Sequence, residues 1–437
     1  MTKATLHETS LFLSEAQLRA ELKKCEYCQE KPCLEACPAH CSPADFIKAV
    51  VVGLPSDYQR AASLIMGKNP LGGICGQVCP DFHCMAACVH RKLDGAVEIP
   101  QVQATIIQRA KELGVMPQFA APEPTGKKVA VIGGGPAGLA AAGALAQAGH
   151  GVTLLERGDK LGGMCLCIPD FRLEKSVLES DIDWLLGLGK IEVRTGQAVD
   201  DARALLADHD AVVVATGLWS PIKPGIPGEE FCLGAVDLLL DPAAHDFTGK
   251  TVAVLGGGAT AYDCAVTALK RGATRVEMLC LEKLSEMPLT DKEARDLWES
   301  GVDVTGRTRV TAISGINGEV AALALEKVRL SEGAETFALS AIEPVSGSAY
   351  NRTDVHTVVL AIGLRPDFPR VEDPRVIYAG DVVEGPTTVV EASAAGKNAA
   401  LAVEALFAAA PAPTFPRSAT GKVKGKLQIP GYNFRPV

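Results

Sequence analysis

Five of the chain's 14 cysteines fall within residues 25–41, CEYCQEKPCLEACPAHC, and four more within 75–88, CGQVCPDFHCMAAC. Nine thiols in two short segments can pair as disulfides, hold zinc, or hold iron and sulfur. The N-terminal stretch MTKATLHETSLFLSEAQLRAELKK has neither an apolar run nor a small-residue cleavage site, so a cytoplasmic protein is expected. A reducing cytosol rarely maintains structural disulfides. Cys25, Cys28, Cys33 and Cys37 are spaced C-x2-C-x4-C-x3-C-P; Cys75, Cys79, Cys84 and Cys88 are spaced C-x3-C-x4-C-x3-C, with Pro80 after the second. Zinc ribbons usually use two C-x2-C pairs or a mixture with His, and these runs hold a single such pair. The first run differs from the bacterial ferredoxin pattern by two inserted residues and keeps its terminal proline. Iron–sulfur binding is therefore favoured over zinc and disulfides.

Two glycine-rich turns could cradle phosphates. In KVAVIGGGPAGLAAAGALAQAGHGVTLLER (128–157), Gly133, Gly135 and Gly138 fit G-x-G-x-x-G between a strand and a helix, and Glu156 ends the next strand. Glycines there let the backbone approach a pyrophosphate at a helix N-terminus, and the acid can bind ribose hydroxyls. GKTVAVLGGGATAYDCAVTALKRGATRVEMLCLEK (249–283) repeats the arrangement with Gly256, Gly258 and Ala261, and Glu282 stands at the position of the acid. A carboxylate suits two free ribose hydroxyls and repels a 2′-phosphate, so NADH is expected over NADPH. Lys283 beside it keeps NADPH open.

The elements that must position these residues read as α/β. The net charge of −9 disfavours a general nucleic-acid binder. The longest apolar stretch, AALAVEALFAAA (399–410), is too short for a membrane span and carries Glu404. Two such glycine-turn units behind cysteine runs resemble the two-dinucleotide-binding-domain flavoproteins with an N-terminal cluster domain. The fold which that resemblance implies is a helical two-cluster Fe–S domain followed by two Rossmann-like dinucleotide-binding domains, an FAD domain with an NAD domain inserted. Residues 1–118 form the expected Fe–S domain. The FAD domain takes 119–228 and, after the NAD domain at 229–345, resumes over 346–410. Residues 411–437 are a basic tail with five Lys/Arg and no acid. That tail could dock an acidic ferredoxin-like surface.

The cysteine segments, with NPLGGICGQVCPDFHCMAAC, resemble the N-terminal two-cluster domain of the glutamate synthase small subunit and of dihydropyrimidine dehydrogenase. The resemblance covers roughly residues 20–410. It implies two [4Fe–4S] clusters, one held by Cys25, Cys28, Cys33 and Cys88, the other by Cys37, Cys79, Cys84 and Gln103. Glu98 is a competing oxygen ligand for the second, while Cys75 and Cys41 are expected only to pack. LGGM (161–164), VVVATG (212–217) and VIYAGD (376–381) follow in the order of the two-dinucleotide flavoproteins. By that resemblance the first turn binds FAD, Gly162 and Gly163 pass close to the flavin, and Asp381 meets the ribityl–phosphate region. The backbone at Thr388–Val390, including Val389, would meet the pyrimidine edge.

Arg172 and Lys175 are candidates to steady cofactor phosphates or flavin, or simply solvated charges. Cys165-Leu166-Cys167 is read as packing beside the flavin rather than as a redox dithiol. No catalytic residue is expected, because hydride transfer uses the cofactors' own chemistry.

The implied function is an NADH-linked electron-transfer oxidoreductase subunit. It would serve a separate catalytic subunit, a ferredoxin-like subunit, or both. A tungsten aldehyde oxidoreductase is favoured as the partner over dihydropyrimidine dehydrogenase and glutamate synthase types. A free-standing NADH:ferredoxin oxidoreductase and a non-catalytic scaffold are the other two readings.

Overall fold

The computed structural model describes residues 10–415, so the basic tail expected over 411–437 lies outside the described residues from 416 onward. Ser220–Leu364, with the short segment Cys167–Pro169, forms one compact unit, and the rest of the described chain forms another.

The larger unit begins with short helices: Glu15–Lys24, Pro32–Ala36, Pro43–Ala49, Pro55–Met66, Gly72–Val78 and Ile99–Glu112. Proline at the first position starts three of them, where its missing N–H costs no hydrogen bond and its fixed φ favours the helix. Leu18, Leu22, Phe46, Ile47, Ile65, Met66, Ile106 and Ile107 fill their core, and Cys25, Cys33, Cys37, Cys84 and Cys88 pack against it.

The same unit continues into a parallel five-stranded sheet. Its order is Val376–Tyr378, Ala211–Val214, Lys128–Ile132, Gly151–Leu155, Ile191–Arg194. Strands such as KVAVI and AVVV are nearly uniformly apolar because both faces of a parallel sheet are covered. Helix Pro136–Gln147 packs lengthwise against helix Val389–Phe407. The contact is backbone-close at Gly396, where a Cβ would stand 1.9 Å from the Ala137 carbonyl oxygen.

The helical domain docks onto this sheet domain through buried polar bonds. Asp181, wholly buried on helix Lys175–Leu186, accepts from the Ile74 N–H at 2.9 Å and from Lys111 Nζ at 3.0 Å. Burial pushes its carboxyl pKa up, and the Lys111 charge opposes that shift. The proline-rich segment between the domains is held as well. Trp184 Nε1 donates to the Pro117 carbonyl at 2.9 Å, and its ring meets Phe119 edge-on.

The smaller unit repeats the parallel sheet, in the order Leu233–Gly234, Thr357–Leu360, Thr251–Leu255, Arg275–Leu279, Asp303–Thr305. An antiparallel sheet of Thr308–Ile316, Glu319–Leu330, Ile342–Pro344 and Tyr350–Arg352 accompanies it. The chain enters this unit at 219/220 and leaves at 364/365, against the boundaries of 228/229 and 345/346 read from the motifs. Strand Thr357–Leu360 explains the later exit, since it pairs in parallel with Thr251–Leu255 and completes the inserted domain's sheet.

Candidate functional site

Cys25, Cys28, Cys33 and Cys88 line a single cavity whose remaining wall includes Pro32, Pro43, Ala44, Ile47, Val97 and Ile99. Cys25 ends helix Glu15–Lys24, and Cys33 lies in the first turn of helix Pro32–Ala36. Cys88 precedes a 3-10 turn at Val89–Lys92 and reaches the other three at the cavity wall. Backbone N–H groups aim at the sulfurs: that of Tyr27 at Cys25, and those of Ala44 and Leu34 at Cys33. Tyr27, Lys31 and His40 adopt left-handed φ angles of 49°, 44° and 54° without being glycine. Such strain is held only where surrounding structure imposes it. Here it turns the loops back around the thiols.

The other cysteine set gathers around Cys37, which caps the C-terminal end of helix Pro32–Ala36. Cys37 and Cys79 pack with Ala39, Cys75, Val389 and Val390, and Cys84 lies near Cys37. Cys79 caps helix Gly72–Val78, in hydrogen-bond contact with Cys75. That helix touches Ile99–Glu112 so closely that a Cβ on Gly76 would stand 2.5 Å from the Ala104 nitrogen. The crossing buries Gln103, whose Nε2 donates to the Gly72 carbonyl at 2.7 Å. Glu98, by contrast, is exposed at the helix start. Cys41 and Cys75 are both buried.

The donor chemistry fits iron–sulfur clusters. Four soft sulfurs share one largely apolar cavity, and three more lie together with a buried amide nearby. N–H groups reach the sulfurs of Cys25 and Cys33, a contact that tunes the potential of a thiolate-bound cluster. Among the described residues, no three His, Cys, Asp or Glu side chains close on a single metal ion. Burial raises the pKa of the Cys37 and Cys84 thiols; a bound cluster would take them as thiolates.

Two residues beside the second set were not singled out by the sequence. Lys397, on helix Val389–Phe407, is buried and donates to the carbonyls of Ala39, at 3.1 Å, and Lys68. Burial pushes its pKa down to about 8, while nearby Cys37 and Cys41 oppose the fall. His83 is buried beside Cys84, and its Nε2 has no hydrogen-bond partner. No local spacing marks Lys397, whose partners lie more than three hundred residues away.

At the C-terminal edge of the first sheet, Gly133 turns with φ 106° and a Cβ there would stand 2.4 Å from the Ala215 oxygen. A Cβ on Gly138 would stand 1.8 Å from the Gly133 oxygen. Gly135 caps helix Pro136–Gln147. The Glu156 carboxylate accepts from the N–H groups of Gly134 at 2.7 Å and Gly158 at 2.8 Å, beside the turn. Gly162 donates to the Gly134 oxygen at 2.8 Å, and Gly163 lies against Gly135. Gly380 abuts Ala137 and so sets Asp381 beside the same helix; Thr387 Oγ1 holds the Asp381 carboxylate. Thr388 caps helix Val389–Phe407 in a reciprocal bond with Glu391. These residues come together in one unit. Arg172 is half-buried, Lys175 Nζ donates to the Leu166 oxygen at 3.0 Å, and Cys165 and Cys167 are each buried.

In the smaller unit Gly256 turns with φ 137°, and a Cβ on Gly257 would stand 2.9 Å from Glu282 Oε2. The acid thus meets the second glycine turn as Glu156 meets the first. Ala261 is fully buried and its Cβ is tolerated, lying 3.3 Å from the Cβ position of Gly256. Lys283 is exposed. Arg307, half-buried, donates to the Leu281 carbonyl at 2.8 Å and to Glu286 at 2.7 Å.

The family model for pyridine nucleotide-disulphide oxidoreductases matches residues 127–396, which span both glycine turns. The chain belongs to that family. A second model, dihydropyrimidine dehydrogenase domain II with its 4Fe-4S cluster, matches residues 2–115. The chain is 29% identical to the glutamate synthase [NADPH] small chain of Escherichia coli, across 89% of this chain and 91% of that protein. It is 30% identical to the NAD-dependent dihydropyrimidine dehydrogenase subunit PreT of Escherichia coli, across 88% and 92% respectively. With the β subunit of NADP(+)-dependent formate dehydrogenase from Moorella thermoacetica it shares 32% identity, across 85% of this chain and 59% of that one. Thioredoxin reductase from T. acidophilum shares the fold, with a TM-score of 0.51, 18% identity, and coverage of 64% of this chain and 99% of that one.

This member of the family is therefore an oxidoreductase subunit that transfers electrons using FAD, NAD(P) and 4Fe–4S clusters. Among the described residues no helix is long and apolar enough to cross a membrane.

Proposed function

We propose that the chain is the NADH-linked electron-transfer subunit of a complex whose substrate chemistry belongs to a separate catalytic subunit. The observation that carries the coenzyme choice is the Glu282 carboxylate against Gly257. A negative charge there accepts from ribose hydroxyls and repels a 2′-phosphate. Arg307 is already engaged by Leu281 and Glu286, so it offers a phosphate no uncommitted charge.

In this reading Gly256, Gly258 and Ala261 admit the coenzyme pyrophosphate and Glu282 its ribose. Gly133, Gly135, Gly138 and Glu156 hold the adenosine diphosphate moiety of FAD. Gly162, Gly163, Asp381 and the helix start at Thr388 and Val389 hold its flavin half, and Arg172 supplies charge nearby. Cys25, Cys28, Cys33 and Cys88 bind one cluster; Cys37, Cys79, Cys84 and Gln103 bind the other. Bound FAD supplies the exchange between hydride pairs and single electrons. The protein's role is to orient, to exclude water and to set charge.

The partner reading draws support from the relatives' names, which describe subunits of glutamate synthase, formate dehydrogenase and dihydropyrimidine dehydrogenase. A tungsten aldehyde oxidoreductase partner has support only from the NADH-type acid. Anoxic capture of the full chain from its native cells tests the proposal. A catalytic subunit recovered in stoichiometric amount supports it. Recovery of nothing beyond a ferredoxin-like carrier would make the chain a free-standing NADH:ferredoxin oxidoreductase.

A further inference from the structure

We propose that Lys397 sets the reduction potential of the second cluster by holding a positive charge beside its thiolates from a helix of the flavin-binding domain. This rests on the assignment of Cys37, Cys79, Cys84 and Gln103 to that cluster. The side chain reaches out of helix Val389–Phe407 into the cysteine segment, where it is 4% exposed. Both of its acceptors, the carbonyls of Ala39 and Lys68, are neutral. Among the described residues no carboxylate pairs with it, and the groups that face it are the thiols of Cys37, Cys41 and Cys75 and the second cation Lys68.

A buried ammonium without a counter-ion costs several kcal/mol. Evolution keeps such a group neutral, pairs it, or lets it serve a charge that comes and goes. A thiolate-bound cluster is anionic, and one electron adds one further negative charge with no bond made or broken. That electron comes from the reduced flavin, itself reduced by NAD(P)H. A fixed cation in a poorly polarisable interior favours the more negative state, and its influence there is several times that in water. Charge and hydrogen bonding near the sulfurs are established levers on cluster potentials.

The two cysteine sites differ in this respect. The cavity of Cys25, Cys28, Cys33 and Cys88 is lined by Glu26 and by His90, which pairs with Glu26 and Asp94; no Lys or Arg lines it. The second cluster is accordingly the easier of the two to reduce. A positioning charge of this kind biases electrons toward the site packed against Val389 and Val390.

The test uses the anoxically purified full chain with both clusters, its Lys397→Gln variant and its Lys397→Arg variant. Each is titrated with reductant and followed by low-temperature EPR. Gln keeps N–H donors for the two carbonyls but removes the charge; Arg keeps the charge. In Lys397→Gln the reduced-to-oxidised ratio of one cluster at fixed potential should fall at least about tenfold, about 59 mV for one electron. The other cluster should be unchanged, and Lys397→Arg should stay within about threefold of the parent. An unmoved potential in Lys397→Gln, or equal shifts in both variants, overturns the proposal. So does loss of the second cluster's iron from Lys397→Gln, which would make Lys397 a structural strut. If the parent protein itself holds only one cluster, the underlying ligand assignment fails instead.

Discussion

Replacing Glu282 with Gln should lower the preference for NADH over NADPH by about a hundredfold. A carboxylate accepting ribose hydroxyls makes charge-assisted hydrogen bonds of ~1.5–3 kcal/mol each. Its repulsion of a 2′-phosphate charge about 4 Å away is worth ~1 kcal/mol in water and ~4 kcal/mol near a protein surface. Glu282 is half-buried, so both contributions belong in the lower half of their ranges. About 1.5 kcal/mol from each gives ~3 kcal/mol, or about two decades in the ratio of kcat/KM values. The variant should lose selectivity rather than reverse it, since Arg307 stays paired with Glu286. Reversal needs a new cation, which Glu282→Arg with Lys283→Arg supplies. The assay is anaerobic stopped-flow reduction of the bound flavin by each coenzyme, with iron and flavin content checked first. A ratio within about threefold of the parent would show that Glu282 does not read the ribose.

Three further outcomes are expected. Gly138→Ala places a Cβ 1.8 Å from the Gly133 oxygen, so the protein should be purified without flavin, as read from its visible spectrum. Cys25→Ser should lose about half of the iron and sulfide while keeping FAD; loss of flavin as well would show that the cluster and flavin sites do not form independently. Lys111→Met leaves the buried Asp181 charge unpaired and should destabilise the protein by ~3–5 kcal/mol, measured by denaturant unfolding. Asp181 has a raised folded pKa, so the stability it contributes is present at acid pH and lost as pH rises through that value. Without Lys111 the pKa rises further, so the deficit should grow as pH rises above the ordinary carboxylate range.

The features of the site that could be read from sequence are those made by neighbours in the chain. A strand, a glycine turn and a helix lie within thirty residues, so the meetings of Glu156 with Gly134 and of Glu282 with Gly257 follow from local geometry. The cysteine spacings likewise announced thiols brought together. Left-handed turns at Tyr27, Lys31 and His40 gave no such signal, because they are enforced on ordinary residues by the surrounding packing. Asp181 looks like any helix-surface acid until the docked helix Gly72–Val78 buries it. A short strand such as TVVL shows its apolar character in the sequence but not its partner, strand Thr251–Leu255.

The bond from Lys397 to Ala39 spans 358 residues of sequence. On the ribosome, at about 5–20 residues per second, that interval is about 18–72 s. During that time the cysteine-rich segment has emerged while the helix that walls off Cys37 and Cys79 has not been made. Until helix Val389–Phe407 is made, Cys37 and Cys79 lack the Val389 and Val390 side chains that pack against them. Order of synthesis thus leaves one wall of that site to a helix made long after its thiols, and truncation before residue 389 would remove the wall.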